Sequence, residues 1–163
     1  EKYTNSGKYL TPTNNPNAFL KQVRSQMKQD TVELLKAHGI NPSSQRVRIY
    51  DYLVASKDHP SVDDIFLALQ KEGHLFSRAT VYNTVKLFLE KHLIRPVKVA
   101  SNEMRFDASH GFHGHFRCEA CDKIFDIPIE ELSLDGATEH QIHETNVSFS
   151  GICAECLKKG KDD

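Results

Sequence analysis

Four cysteines have the spacing that speaks most directly of chemistry. Cys118 and Cys121 form one CxxC pair, Cys153 and Cys156 a second, and 31 residues lie between them. Each pair can present two thiolates to a common ion, and two pairs complete a tetrahedron of sulfur. Zinc suits such a set because it is redox-inert and borderline-soft. A disulfide framework would need an oxidising compartment, of which the sequence gives no sign. A redox CxxC is the other alternative, but it usually occurs singly and near a helix start. The gap is longer than in short zinc ribbons, so a small subdomain is expected between the pairs. A closed four-thiolate site has no vacancy for substrate, which makes it scaffold.

A second set lies beside the first. His113-Gly114-His115 precedes Cys118, with Asp107 upstream and Asp126 downstream. On a strand, residues two apart share a face, so both imidazoles can reach one ion. The carboxylates of Asp107 and Asp126 would add oxygen donors. A mixed nitrogen and oxygen set suits Fe(II), Mn(II) or Zn(II). Surface or packing roles for the histidines remain open alternatives. His59, before Pro60, reads as a loop residue between two helices. If it reaches the cluster, an ion would bridge both halves of the chain and fix their angle.

These side chains require particular elements to carry them. Residues 1–17 are polar and arm-like, and helical patterning begins near Phe19 and runs through Val23 and Met27 to Leu35, with Gly39 as a stop. Ser43 or Ser44 caps a helix burying Val47, Ile49, Tyr50, Leu53 and Val54. Ser61 caps a second, with Asp63 and Asp64 in its first turn and Ile65 and Leu69 inward. Ser77 caps a third, with Val81, Val85, Phe88 and Leu89 on one face. Two short strands, IRPVKVA and EMRFD, follow. Short helices and then a two-stranded ribbon is the order of a winged helix-turn-helix. The remainder alternates strand-like pieces with one expected helix near Ile129–His143. The fold class is therefore α+β: an arm over 1–17, a winged-helix domain over 18–100, and a small α/β domain carrying the four-cysteine zinc site over 101–163.

Charge divides along the same line. Residues 1–100 hold 15 Lys and Arg against 9 Asp and Glu, while residues 101–163 hold 6 against 13. A basic first half beside an acidic second half suits a polyanionic partner for the first. The helix from Ser77 is the candidate reader of a DNA major groove, with Arg78, Thr80, Tyr82, Asn83 and Lys86 available to base edges and phosphates. Arg46 and Arg48 would anchor the backbone. A solvated amphipathic helix is the plainer alternative. No apolar run approaches the roughly 18 residues of a membrane helix, and no secretory signal is evident, so a cytoplasmic location is expected.

The segments SSQR (43–46), HPSVDDIF (59–66), SRATVYNTV (77–85), RFD (105–107), HGHFRCEACDKIFD (113–126) and GICAEC (151–156), in this order, resemble the ferric uptake regulator superfamily. The likeness spans roughly residues 30–158. It implies a homodimeric, metal-dependent repressor binding a double-stranded operator. It also implies an α/β dimerisation domain, structural zinc at the four cysteines, and regulatory ligands at His59, Asp107, His113, His115 and Asp126. Asp126, where iron sensors typically have Glu, and Asn83 after the helix tyrosine make it most similar to the peroxide-stress branch. That branch implies Fe(II) as the reactive ion, Mn(II) as an unreactive substitute, and oxidation of His59 or His113 by peroxide. An iron-occupancy repressor is the alternative, and a zinc hydrolase built on His113, His115 and Asp107 a more distant one. Two departures stand out. The segment between the cysteine pairs is short for the family, and Phe112 and Gly114 cannot supply a further site, although His140 and His143 could hold an extra ion.

Overall fold

The computed structural model describes residues 29–98, 103–109, 111–133, 136 and 139–160. The expected arm over 1–17 and the helical pattern from Phe19 to Met27 lie outside these residues. Helix α1 covers 29–37, and Gly39 ends it at φ 68°, a conformation that costs glycine little. Helices α2 (Ser44–Ala55), α3 (Val62–Lys71) and α4 (Arg78–Glu90) follow, each with a serine cap. Ser43, Ser61 and Ser77 accept from the backbone N–H groups of Arg46, Asp64 and Thr80. At α3 the capping is reciprocal: the Asp64 carboxylate accepts from the Ser61 N–H at 3.0 Å.

The helices enclose one core. Val47, Ile49 and Leu53 of α2 meet Ile65 and Leu69 of α3, and Tyr50 packs edge-on against Phe88 of α4 at 5.9 Å. Val54, expected inside, is 52% exposed in the last turn of α2. Strands β1 (Arg95–Val97) and β2 (Arg105–Asp107) pair antiparallel, forming the ribbon expected of a wing. This ribbon straddles the expected boundary between residues 100 and 101. Phe106 and Ala108 are buried in the helical core, so the helical half extends at least that far.

The second half is a three-stranded sheet in the order β4-β3-β5, with β3 at His113–Cys118, β4 at Ile124–Pro128 and β5 at Ser148–Gly151. β3 runs antiparallel to β4 and parallel to β5. A short helix α5 (Ala154–Lys159) closes the described chain. Gly114 lies where β5 comes close: a Cβ there would meet the Phe149 ring at 3.0 Å and the Val147 carbonyl at 3.2 Å.

Among the described residues, the expected helix over Ile129–His143 is not formed. Residues 129–133 and 139–143 are non-helical apart from one 3-10 residue, and Gly136 adopts φ 78°. The apolar spacing explains this, because Ile129, Leu132 and Ile142 do not repeat as a continuous stripe and a left-handed glycine interrupts them. The sheet also has little core of its own. Of its strands, β4 contributes Ile124 to a buried cluster shared with Val97 of β1, whereas Phe149, Ile152 and Leu157 are 45%, 42% and 52% exposed. No helix among the described residues is long and apolar enough to cross a membrane.

Candidate metal centres and nucleic-acid face

The two cysteine pairs converge at the end of the sheet. Cys118 ends β3, Cys153 precedes α5, and all four Sγ atoms lie within 4.8 Å of one another. The Cys121 and Cys153 sulfurs are 3.8 Å apart. A disulfide bond spans about 2.05 Å. By contrast, sulfurs roughly 2.3 Å from a central zinc form a tetrahedron with edges of about 3.8 Å. The donor set and its geometry therefore fit zinc. The N–H of Cys153 donates to Cys118 Sγ at 3.2 Å and is the main reason that thiol is drawn down to about 6, favouring the thiolate a metal needs. Sharing hydrogen bonds with Cys153 and Cys121 pushes the Cys156 thiol up to about 12. Lys123 and Glu155 tie the two knuckles together at 3.2 Å.

The second cluster forms between the two halves. His59, His113, His115 and Asp126 each offer a donor atom within 4.8 Å of the others. The alternation of β3 places His113 and His115 on one face, with Nε2 atoms 3.2 Å apart, and Asp126 of β4 pairs in register with His115. His59 comes from the helical half, in the turn between α2 and α3. Its Nε2 is 2.8 Å from Asp126 Oδ1 but makes no hydrogen bond, although the residue is only 3% exposed. A buried nitrogen this close to a carboxylate without bonding to it fits two ligands sharing one ion. Donors roughly 2.1 Å from a common centre lie about 3.0–3.4 Å apart when adjacent. His59 also adopts φ 49° before a proline, a backbone state that costs roughly 1–2 kcal/mol outside glycine.

Electrostatics favour the ligating form of His59, His115 and Asp107. Burial pushes the His59 imidazole below its ordinary range, against the pull of Asp126 and Asp107. Burial likewise lowers His115, helped by His59 and His113. Burial would raise the Asp107 carboxyl, but the Ser109 N–H and hydroxyl, His113 and Arg95 together hold it below the usual carboxylate value. These shifts fix a pH dependence. Below pH 6.5 the unfolded chain takes up protons on histidines that the folded, metal-free protein resists charging, so stability falls as pH falls. The urea midpoint of protein carrying only its cysteine-bound ion is expected to be lower at about pH 5 than at about pH 7.5, and His59→Gln should flatten that difference.

Asp107 holds a different position from the other four. Its Oδ2 lies 3.2 Å from His113 Nε2 and 3.9 Å from His115 Nε2, yet it stands outside the group whose donors are all mutually within 4.8 Å. Its carboxylate is held by Arg95 at 3.0 Å and by the Ser109 N–H at 2.7 Å. His140 and His143 are exposed and join no such group among the described residues.

The residues expected at DNA divide in two. Tyr82, Asn83 and Lys86 stand exposed on α4 and line a largely apolar groove of about 760 Å³ between α4 and β2. Arg78 lines the same groove, pairs with Asp63 at 3.1 Å and lies over the Phe66 ring, bracing α4 against α3. Thr80 bonds the capping Ser77 at 2.9 Å. Arg46 donates to the Asn41 carbonyl and, with Thr80 and Asn83, borders a polar cleft of about 350 Å³. Arg48 is exposed on α2. The sequence reading overlooked two supporting residues, Arg95 and Arg105. Arg105 donates to the His59 carbonyl at 3.2 Å and lies 3.6 Å from Asp64. The available signal was charge: both are arginines on short strands flanking Asp107.

Comparison with known proteins agrees with this geometry. Residues 37–153 match the ferric uptake regulator family. The peroxide operon regulator of Bacillus subtilis (strain 168) is 34% identical over 80% of this chain and 94% of its own length. The peroxide-responsive repressor PerR of Staphylococcus saprophyticus is 29% identical over 87% of this chain and 99% of its own. Among solved structures, the fold is similar to a zinc-bound manganese uptake regulator (TM-score 0.62, 22% identity, 76% of this chain and 98% of that one). It is also similar to the ferric uptake regulator of Vibrio cholerae (TM-score 0.60, 18% identity, 75% and 98%). With the helical half, the sheet and both donor clusters inside or bordering the matched span, the chain belongs to the ferric uptake regulator family.

Proposed function

We propose that this protein is a homodimeric, metal-dependent transcriptional repressor that senses peroxide through the cluster between its halves. The observation that carries the reading is the position of His59: one donor on the helical half converging on three donors of the sheet. An ion taken by that set would hold the halves at one angle and so set how α4 meets an operator duplex. In this reading Cys118, Cys121, Cys153 and Cys156 hold structural zinc, and Tyr82, Asn83 and Lys86 supply the DNA-facing side chains of α4. The regulatory ion is Fe(II) or Mn(II), with Asp107 as a further donor.

Bound iron would supply activation of hydrogen peroxide beside the imidazoles. His59 and His113 hold their rings at that point, and a ring C–H converted to a 2-oxo carbonyl gains one oxygen atom as peroxide is reduced to water. The altered ring donates poorly, and the halves lose their common anchor. The identity to peroxide-responsive relatives supports this branch, as does Asp126 at its position.

Operator binding measured with Mn(II) and Fe(II), before and after peroxide, tests the proposal. Both ions should promote binding. Peroxide should abolish binding only for the iron form, with a gain of about 16 Da on His59 or His113 from the added oxygen atom. Iron-dependent binding that survives peroxide, with oxidation confined to cysteine, would favour control by iron occupancy instead.

A further inference from the structure

In the proposed site the helical half offers two donors, His59 and Asp107, and one side chain stands between the segments that carry them. Arg105 lies on β2 two residues before Asp107, and its Nη1 donates to the His59 carbonyl at 3.2 Å. The same nitrogen lies 3.6 Å from Asp64 Oδ2. That carboxylate in turn accepts from the Ser61 N–H at 3.0 Å and the Ser61 hydroxyl at 2.9 Å, at the start of α3. From the strand of Asp107, one guanidinium therefore meets His59 directly and reaches Ser61 through Asp64.

The turn over 59–61 needs such a hold. His59 adopts φ 49°, and it precedes a proline, whose ring crowds the residue before it. A backbone in that state relaxes unless its surroundings fix it, while a metal site accepts errors of only roughly 0.2 Å in its donor distances. The Phe106 N–H holds the Pro60 carbonyl at 3.2 Å, and the His59 carbonyl is taken by Arg105. Arg105 also carries a cost, since its Nε is buried and has no hydrogen-bond partner. An unpaired buried donor is destabilising, and an apolar side chain would fill the space without it. What the arginine adds is reach from β2 to the turn.

We propose that Arg105 is a positioning residue for the ion between the halves: by clamping the His59 carbonyl to the strand of Asp107, it sets the separation of the two donors on the helical half. The inference rests on reading that cluster as a metal site with Asp107 among its donors. Arg105 is itself a cation, so its two effects on a bound ion have opposite signs. Its charge alone repels the ion, and removing it would tighten binding. Its clamp favours the ion, and removing it should loosen binding.

The test is titration of Mn(II) into full-length protein whose cysteine site already holds zinc. Arg105→Met keeps the bulk of the stem and removes both the clamp and the unpaired donor. It should weaken Mn(II) about tenfold, as loss of a ligand's outer partner does, and leave the cysteine zinc in place. In a His59→Ala background the clamp has no imidazole to place, and the same substitution should change Mn(II) affinity less than about twofold. That non-additivity separates positioning from scaffolding, which lowers affinity equally in both backgrounds. Should the methionine variant not fold, Arg105→Gln carries the same pair of expectations. Equal losses with and without His59, or tighter binding in Arg105→Met, would overturn the inference. If the unmodified protein takes up no Mn(II) beyond the zinc already present, the reading of the site fails first, and the inference with it.

Discussion

Cys118→Ser is expected to abolish the zinc binding proposed for the four cysteines and, with it, the stability of the β3–β4–β5 sheet. The sulfur of Cys118 is fully buried, receives the Cys153 N–H, and sits where β3 ends and the first knuckle begins. A serine oxygen in that place is a poor zinc donor. The sheet has little to fall back on, since its Ile124 shares a small buried cluster with Val97 of β1 and several large apolar side chains are exposed. Structural zinc contributes roughly 10–16 kcal/mol in finger peptides, while a whole domain is stable by only about 5–15 kcal/mol. Losing the metal therefore outweighs anything the sheet retains. Elemental analysis after gel filtration should find less than about a tenth of an equivalent of zinc, as expected from the loss of an energy that large. Limited proteolysis should cut within the sheet half, from β3 to α5, while the helical half persists. Full zinc content in the variant would refute the assignment of Cys118.

His59→Ala separates holding an ion from responding to it. Three donors remain on the sheet, His113, His115 and Asp126, so some binding survives, but the helical half is left with Asp107 alone, which stands outside the group of mutually close donors. Coupling between an effector site and a second site typically amounts to about 5–150-fold in affinity, and here that factor should fall close to one. Fluorescence anisotropy of an operator duplex, titrated with and without Mn(II), reads it directly. The turn and not the imidazole imposes the left-handed backbone at 59, so alanine keeps that strain, and the metal-free variant also loses a buried ring and should be somewhat less stable than the parent. Undiminished metal-dependent binding would mean that the bridge lies elsewhere.

The sequence made the helical half legible because its signals are local. Ser43, Ser61 and Ser77 stand where caps belong, and the apolar residues of α3 and α4 recur at helical spacing. The four cysteines were equally plain, since a CxxC knuckle encodes its own geometry. The stretch over 129–143 misled, because scattered apolar residues and two histidines imitate an amphipathic helix while Gly136 disrupts it. His59 could be named but not located, because reaching the sheet depends on how the two halves pack. The standing of Asp107 was hidden for the same reason. Its engagement with Arg95 depends on strand register, which follows from pairing and not from composition.

The ribbon and the interhelical turn are fastened twice. The Phe106 N–H donates to the Pro60 carbonyl at 3.2 Å, and Arg105 donates to the carbonyl of His59. The outcome is kinematic: turn, ribbon and α3 form one link with no joint inside it. A pull applied at His59 cannot be absorbed by bending the ribbon away from the helices. It rotates the link as a whole, and α4, tied to α3 by Arg78 and Asp63, turns with the paired strands β1 and β2. On a duplex, groove contact and backbone contact would then be made or broken together, and the protein would let go in a single motion.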